Sequence, residues 1–146
     1  MDLTPGITGA SEGVDGLQWN ILGQTYTPKL VSDNAFVWLA HLPAESFVPA
    51  HIHPTQDEWI TMIAGELELV FGDEVLKAGA GDVVRMPMGI AHGVFNKSGA
   101  DAHCMFGVAP TRKLFDLFKA IHNVPDPEEV VRLSAQHEVN FLPPPE

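Results

Sequence analysis

Three of the seven histidines stand where metal chemistry would want them. In His51-Ile52-His53-Pro54-Thr55-Gln56-Asp57-Glu58, two imidazoles sit two residues apart and a carboxylate follows closely. In a strand, residues i and i+2 share a face, so His51 and His53 project together. Glu58 opens the next apolar run and can reach back to the same point. A set of imidazoles and one carboxylate is borderline-hard and suits Fe, Mn, Co, Ni, Cu or Zn. A second cluster runs from Gly81 to Asn96. There a strand leads into a turn rich in Pro and Gly, and the chain returns as another strand beginning at His92. The turn fixes where His92 lands and lets its side chain enter the same cavity.

These residues need a scaffold of short strands, and the sequence supplies one. Between residues 17 and 110 the chain is a series of brief apolar segments cut by turn residues. Expected strands are residues 18–22, 35–42, 58–64, 66–71, 74–77, 82–86, 92–96 and 102–108. Alternation is clearest over 66–71, where Leu67, Leu69 and Phe71 share one face and Glu66 and Glu68 the other. Gly65, Gly72-Asp73, Gly79-Ala80-Gly81 and Ser98-Gly99 provide turns. Past Pro110 the period changes. Leu114, Leu117, Phe118 and Ile121 recur at helical spacing, with Phe115 widening the stripe. A second helix begins at Asp126-Pro127-Glu128-Glu129, an acidic cap followed by proline at the first helical position, and runs to about His137. The expected division is a loose arm over 1–16, a barrel over 17–110 and a helical extension with a Pro-rich tail over 111–146. The two helices are too small to stand alone and should cover the barrel's end or side.

The two clusters resemble the paired motifs of the cupin family. His51, His53, Glu58 and Gly65 fit His-x-His-x4-Glu-x6-Gly. Gly81, Pro87, Gly89, His92 and Asn96 fit Gly-x5-Pro-x-Gly-x2-His-x3-Asn at every position. With residue frequencies of roughly 5–7%, chance agreement at all these positions is negligible. One position departs: the first motif usually opens with glycine six residues before its first histidine, and here Glu45 stands there, which suggests another backbone conformation for that turn.

The resemblance implies an all-β fold, a conical antiparallel β-barrel or jelly roll, with two short C-terminal helices appended. It implies one divalent transition metal held by His51, His53, Glu58 and His92, iron first, with Ni, Mn, Co, Cu or Zn as alternatives. Four protein ligands on a six-coordinate ion leave two positions open. Small cupins with this donor set resemble quercetinase-type dioxygenases, in which Glu58 would serve as ligand and general base. A non-redox isomerase, lyase or decarboxylase, a closed zinc site and a non-catalytic binding domain are the competing readings. By alternation from Glu58, Ile60 and Met62 face the expected pocket, joined by Phe71, Phe95 and Phe106, with Arg85 as a clamp for an anionic substrate. His41, His103, His122 and His137 read as surface residues, and Cys104 as a small buried hydrophobe. Cupins often pair, and the face carrying Trp59, Thr61 and Ile63 is the expected homodimer surface.

Charge excludes other classes. Eight Lys and Arg stand against 19 Asp and Glu, a formal net charge of −11. A nucleic-acid binder needs a basic footprint, and anionic membranes repel such a chain. A single cysteine implies no disulfide and no oxidising compartment. The N-terminus lacks the basic start and apolar stretch of a signal peptide, so a cytoplasmic protein is expected.

Overall fold

The computed structural model describes residues 1–143. After a short helical turn at Val14–Gly16, the chain forms β1 Trp19–Ile21, β2 Gln24–Val31, β3 Phe36–Leu42, β4 Phe47–Ile52, β5 Asp57–Ala64 and β6 Glu66–Phe71. It continues through β7 Glu74–Gly79, β8 Val83–Met86, β9 His92–Phe95 and β10 Ala102–Ala109. Helices α1 Leu114–Ile121 and α2 Pro127–Gln136 and the two-residue strand β11 Asn140–Phe141 complete it. The strands make two antiparallel sheets, ordered β1-β2-β3-β10-β5-β8 and β11-β4-β9-β6-β7. They face each other as a jelly-roll barrel, the fold expected from the two motifs.

Period-two burial builds the interior. Along β3, Phe36, Trp38, Ala40 and Leu42 are buried and the residues between them are only partly so. β5 does the same with Glu58, Ile60 and Met62. Of the three strands not expected from the sequence, β2, β4 and the two-residue β11, the first two carry proline. Pro28 lies past the stretch of β2 that β1 covers, and the pairing of β2 with β3 slips between Pro28 and Leu30. Pro49 falls in the slip between Val48 and His51 where β4 meets β9. A proline is tolerated in a sheet at such bulges and uncovered edges.

The helices form as their sequence dictates. Asp126 accepts the backbone N–H of Glu128 at 3.0 Å, with Pro127 at the first helical position. Leu114, Phe115, Leu117, Phe118 and Ile121 bury one face of α1. Phe118 packs 5.1 Å from Tyr26 and 5.0 Å from Trp38 between ring centres, so α1 seals one end of the barrel. The arm over residues 1–16, expected to be loose, is laced to its own chain. The Thr8 hydroxyl donates to Lys29 O at 2.8 Å, and Lys29 Nζ donates to the carbonyls of Gly9 and Glu12 at 2.6 and 2.7 Å. Residues 144–146 of the expected tail lie outside the described residues. No described helix is long and apolar enough to cross a membrane.

The turn between β3 and β4 corrects one expectation. Glu45 adopts φ +71°, the left-handed conformation that glycine favours, so a non-glycine residue carries the same backbone. Asn96, the last residue of the second motif, is 1% exposed and holds this turn in place. Its Nδ2 donates to Leu42 O at 2.9 Å and Ala100 O at 2.8 Å, while its backbone accepts from Glu45 N–H at 3.0 Å.

Candidate metal centre

β4 delivers His51, and His53 follows directly after the strand ends at Ile52. β5 delivers Glu58 and β9 opens on His92. The register places His51 opposite His92 across β4 and β9. One donor atom from each of His51, His53, Glu58 and His92 lies within 4.8 Å of the others, and all four residues are buried. Glu58 Oε1 is 2.8 Å from His92 Nε2 and 3.5 Å from His53 Nε2. The four residues singled out in the sequence are thus brought together from three strands and one loop.

Each imidazole is oriented from behind. His51 Nδ1 donates to Pro49 O at 2.7 Å and His92 Nδ1 to Ile90 O at 3.3 Å. A carbonyl can only accept, so both rings carry their proton on Nδ1 and turn the Nε2 lone pair to the centre. For His53 the acceptor is Gln56 Oε1 at 2.8 Å. Gln56 Nε2 donates in turn to Pro110 O and Thr111 O at 3.1 and 2.8 Å, which fixes the amide's orientation and hence the tautomer. Such partners behind metal-binding imidazoles are what keep ligand rings aimed. Gln56 was not singled out in the sequence, although it lies in the spacer of the first motif.

The electrostatics agree. Burial opposes ionisation of Glu58, but the surrounding imidazoles, His53 first, outweigh it and hold the carboxyl at about 2. Burial, with His92 alongside, presses His51 down to about 4, so this imidazole stays neutral and able to ligate well into acid. His92 Nε2 is fully buried and has no hydrogen-bond partner: with the proton on Nδ1, its lone pair faces the Glu58 carboxylate at 2.8 Å with no hydrogen between them. A buried, unpartnered nitrogen lone pair beside an ionised carboxylate is costly unless a cation completes it. The residues therefore fit a single divalent ion held by three Nε2 atoms and one carboxylate.

The centre opens onto a cavity of about 100 Å³. Its walls are mostly apolar and come from both sheets, α1, α2 and β11. Phe106, Trp38, Val94, Leu117, Phe118 and Phe141 are among them, and no lysine or arginine lines it. His51, His53 and Glu58 border it, and the other polar groups on its walls are Gln24, Tyr26 and Ser134. Tyr26 O–H donates to Gln24 Oε1 at 2.7 Å, and burial pushes the Tyr26 phenol well up.

Of the residues expected in the pocket, Phe106 alone lines it. Ile60 and Met62 do share Glu58's face. At roughly 3.3 Å per residue, however, they lie farther along β5, inside the packed end of the barrel. Phe71 and Arg85 flank a separate depression between the sheet edges β7 and β8, and Arg85 is exposed there, away from the centre. Phe95 stacks on the exposed Phe47 at 5.9 Å. Cys104 is fully buried, with its thiol pushed up to about 12 by burial, as a core residue would be. The other histidines lie elsewhere: His41 bonds Asp101 at 2.9 Å and stacks on His103, His122 accepts from Asn20 N–H, and His137 donates to Leu133 O.

Residues 38–108 match the family described as Cupin domain. No curated protein gives a significant match. Among solved structures, an RmlC-like cupin from Shewanella frigidimarina matches with a TM-score of 0.68 and 14% identity over 79% of this chain and 99% of that one. KdgF from a Halomonas species gives 0.63 and 15% over 73% and 99%. A sugar phosphate isomerase of the cupin superfamily from Silicibacter pomeroyi gives 0.55 and 23% over 62% and 61%. The family match over residues 38–108, together with the fold shared with these proteins, makes the barrel of this chain a cupin domain.

Proposed function

We propose that the protein is a mononuclear metal-dependent oxidoreductase of dioxygenase type, acting on a small, uncharged organic molecule that meets the metal through its own oxygen atoms. The observation that carries this reading is the junction of the His51, His53, Glu58 and His92 cluster with an apolar cavity lined by no lysine or arginine. A purely structural zinc site is closed and has no use for such a cavity. A phosphorylated or carboxylated substrate would find no basic side chain in the chamber and could be offset only at the metal itself, so charge elsewhere on the molecule would be desolvated without a partner.

When bound, a redox-active divalent ion would supply two free coordination positions and pass electrons between a chelating substrate and dioxygen. The chain's own residues do the rest. His51, His53 and His92 fix the geometry through their Nδ1–H bonds. Glu58, ionised at neutral pH, accepts a proton from the substrate hydroxyl that approaches the centre. Phe106, Phe118 and Phe141 keep water from the reacting atoms. Size narrows the substrate class. A cavity of roughly 150 Å³ holds one benzene. The smaller volume here favours a compact enediol or related oxygen chelator over a flavonol.

The test is dioxygen uptake by protein loaded anaerobically with Fe(II), and in parallel with Zn(II), against a panel of small enediols and vicinal diols. Uptake confined to the iron form supports the proposal. Equal turnover with Zn(II), or product formed without oxygen, replaces it with the non-redox isomerase, lyase or decarboxylase reading. A ligand bound tightly and recovered unchanged makes the protein a binding domain.

A further inference from the structure

The geometry points to the β1–β2 hairpin tip as the mouth of the cavity, with Leu22 as the residue that decides what passes. This rests on reading the cavity as the substrate's, and not on the metal. Of the described residues that line the cavity, only Leu22, Phe47 and Pro49 are exposed; every other one is buried or half-buried. A molecule coming from water therefore meets Leu22, 43% exposed, and Phe47, 56% exposed, before anything else.

Leu22 is an odd choice for its position. Ile21 pairs with Gln24, so Leu22 and Gly23 make a two-residue hairpin loop, with φ +48° and +90°. Two positive φ values define the turn that favours Asn-Gly. A leucine there is strained by its Cβ and also leaves apolar surface in water. The turn does not need it, because Asn20 Oδ1 already accepts the Gly23 N–H at 3.1 Å. Leu22 is also absent from the buried core. Non-glycine residues held in such conformations cluster at functional sites, and here the side chain borders the one feature that could use it.

The lip is built from two strands tied together. Gln24, just behind Leu22, donates from Nε2 to Phe47 O at 3.1 Å and accepts from Tyr26 O–H. The base of the hairpin is thus fixed on β4, and Asn20 ties the other side of the turn to His122 and Asn123 after α1, so the Leu22 side chain is what varies at the lip. An apolar lip in front of an apolar chamber admits small neutral molecules and disfavours ions, which would shed their water with nothing to replace it.

Furan, a small neutral ring that needs no metal, is the probe, with its binding and exchange followed by ligand-observed and amide NMR. The protein should bind furan with or without metal. Leu22→Asn, which suits the turn, should raise the melting temperature by a few degrees and speed furan exchange several-fold. Leu22→Trp should slow it. Opposite effects on stability and closure are what a purely structural leucine would not give. Failure to bind furan, a lower melting temperature in Leu22→Asn, or unchanged exchange in both variants would overturn the assignment. So would a dimer that Leu22→Asn splits without touching exchange, which would make the lip an interface. Loss of metal binding with furan exchange intact would sink the proposed function and leave this mouth standing.

Discussion

At the scale of single residues, the centre depends on groups that never touch the metal position. Gln56 satisfies His53 Nδ1 and two backbone carbonyls at once, bridging the ligand loop to the start of the helical extension. Gln56→Leu takes this partner from His53 Nδ1 and Pro110 O and leaves Thr111 O with the Leu114 N–H alone. Metal affinity should fall by about 10–100-fold, and stability by about 1–3 kcal/mol, read by chelator competition and urea unfolding; an unchanged affinity would mean that the amide does not orient His53. His51 adds a pH dependence with a definite sign. Its folded pKa, about 4, lies below the unfolded value of 6.5, so the metal-free folded protein binds fewer protons in between. The associated stability is present above pH 6.5 and is lost as pH falls towards 4, about 3 kcal/mol in all. Glu58, lowered from 4.5 to about 2, continues the loss in the same direction. Unfolding of metal-free protein across this range should show that slope, and His51→Gln should flatten its upper part. The clustering of His51, His53, Glu58 and His92 was legible because their spacing is itself the signal. Their supports were not, because Pro49 O and Ile90 O are backbone atoms whose positions follow from a bulge and a turn. Alternation correctly gave the face of Ile60 and Met62 but carries no information on depth.

At the scale of elements, α1 and α2 make the chamber. Phe118 touches Trp19, Tyr26, Phe36 and Trp38, which tie it to three strands of one sheet. Phe118→Ala should cost about 3–5 kcal/mol and enlarge the cavity next to the centre, measurable as a lower urea midpoint together with uptake of larger neutral probes. Glu138, just after α2, ties the helical extension to the loop that carries His53. It pairs with Arg112 at 2.8 Å and accepts from the Thr55 hydroxyl at 2.8 Å, and these contacts hold its carboxyl at about 2. Because the pair is partly solvated, Glu138→Gln should cost only about 0.5–1 kcal/mol at neutral pH. That difference from the parent should vanish as pH falls from 4.5 towards 2; persistence in acid would mean that packing, not charge, is what matters there. Both helices were legible from their apolar period and the cap at Asp126. β2 was not, since Pro28 reads as a strand breaker until the bulge beside it is seen, and with β2 went Gln24 and Tyr26. β11 is too short for any period to show, yet it sets Phe141 5.1 Å from His51.

At the scale of the whole molecule, the outer face of the six-stranded sheet departs from the usual division between a packed side and a polar one. Val37 and Leu39 on β3, Trp59 and Ile63 on β5, Val83 on β8 and Met105 on β10 all lie outside the buried core, on strands that pair side by side. Trp59 lies so close over Gly107 that a Cβ there would come within 2.3 Å of its ring. An antiparallel sheet with one solvated face ordinarily alternates apolar-in and polar-out, and large contiguous apolar patches on monomers mark interaction surfaces. A second copy is the partner we expect, as this face includes the Trp59, Thr61 and Ile63 surface singled out by the sequence. Two chains of net charge −11 repel each other, so association driven by this face should strengthen with salt as the repulsion is screened. Light scattering should find dimers at high ionic strength and a rising monomer fraction as salt is removed. Met105→Glu, at the middle of the face, should give a folded monomer at every salt concentration while still binding metal. A monomeric parent throughout, or dimers that survive Met105→Glu, would show that this face stays bare for another reason.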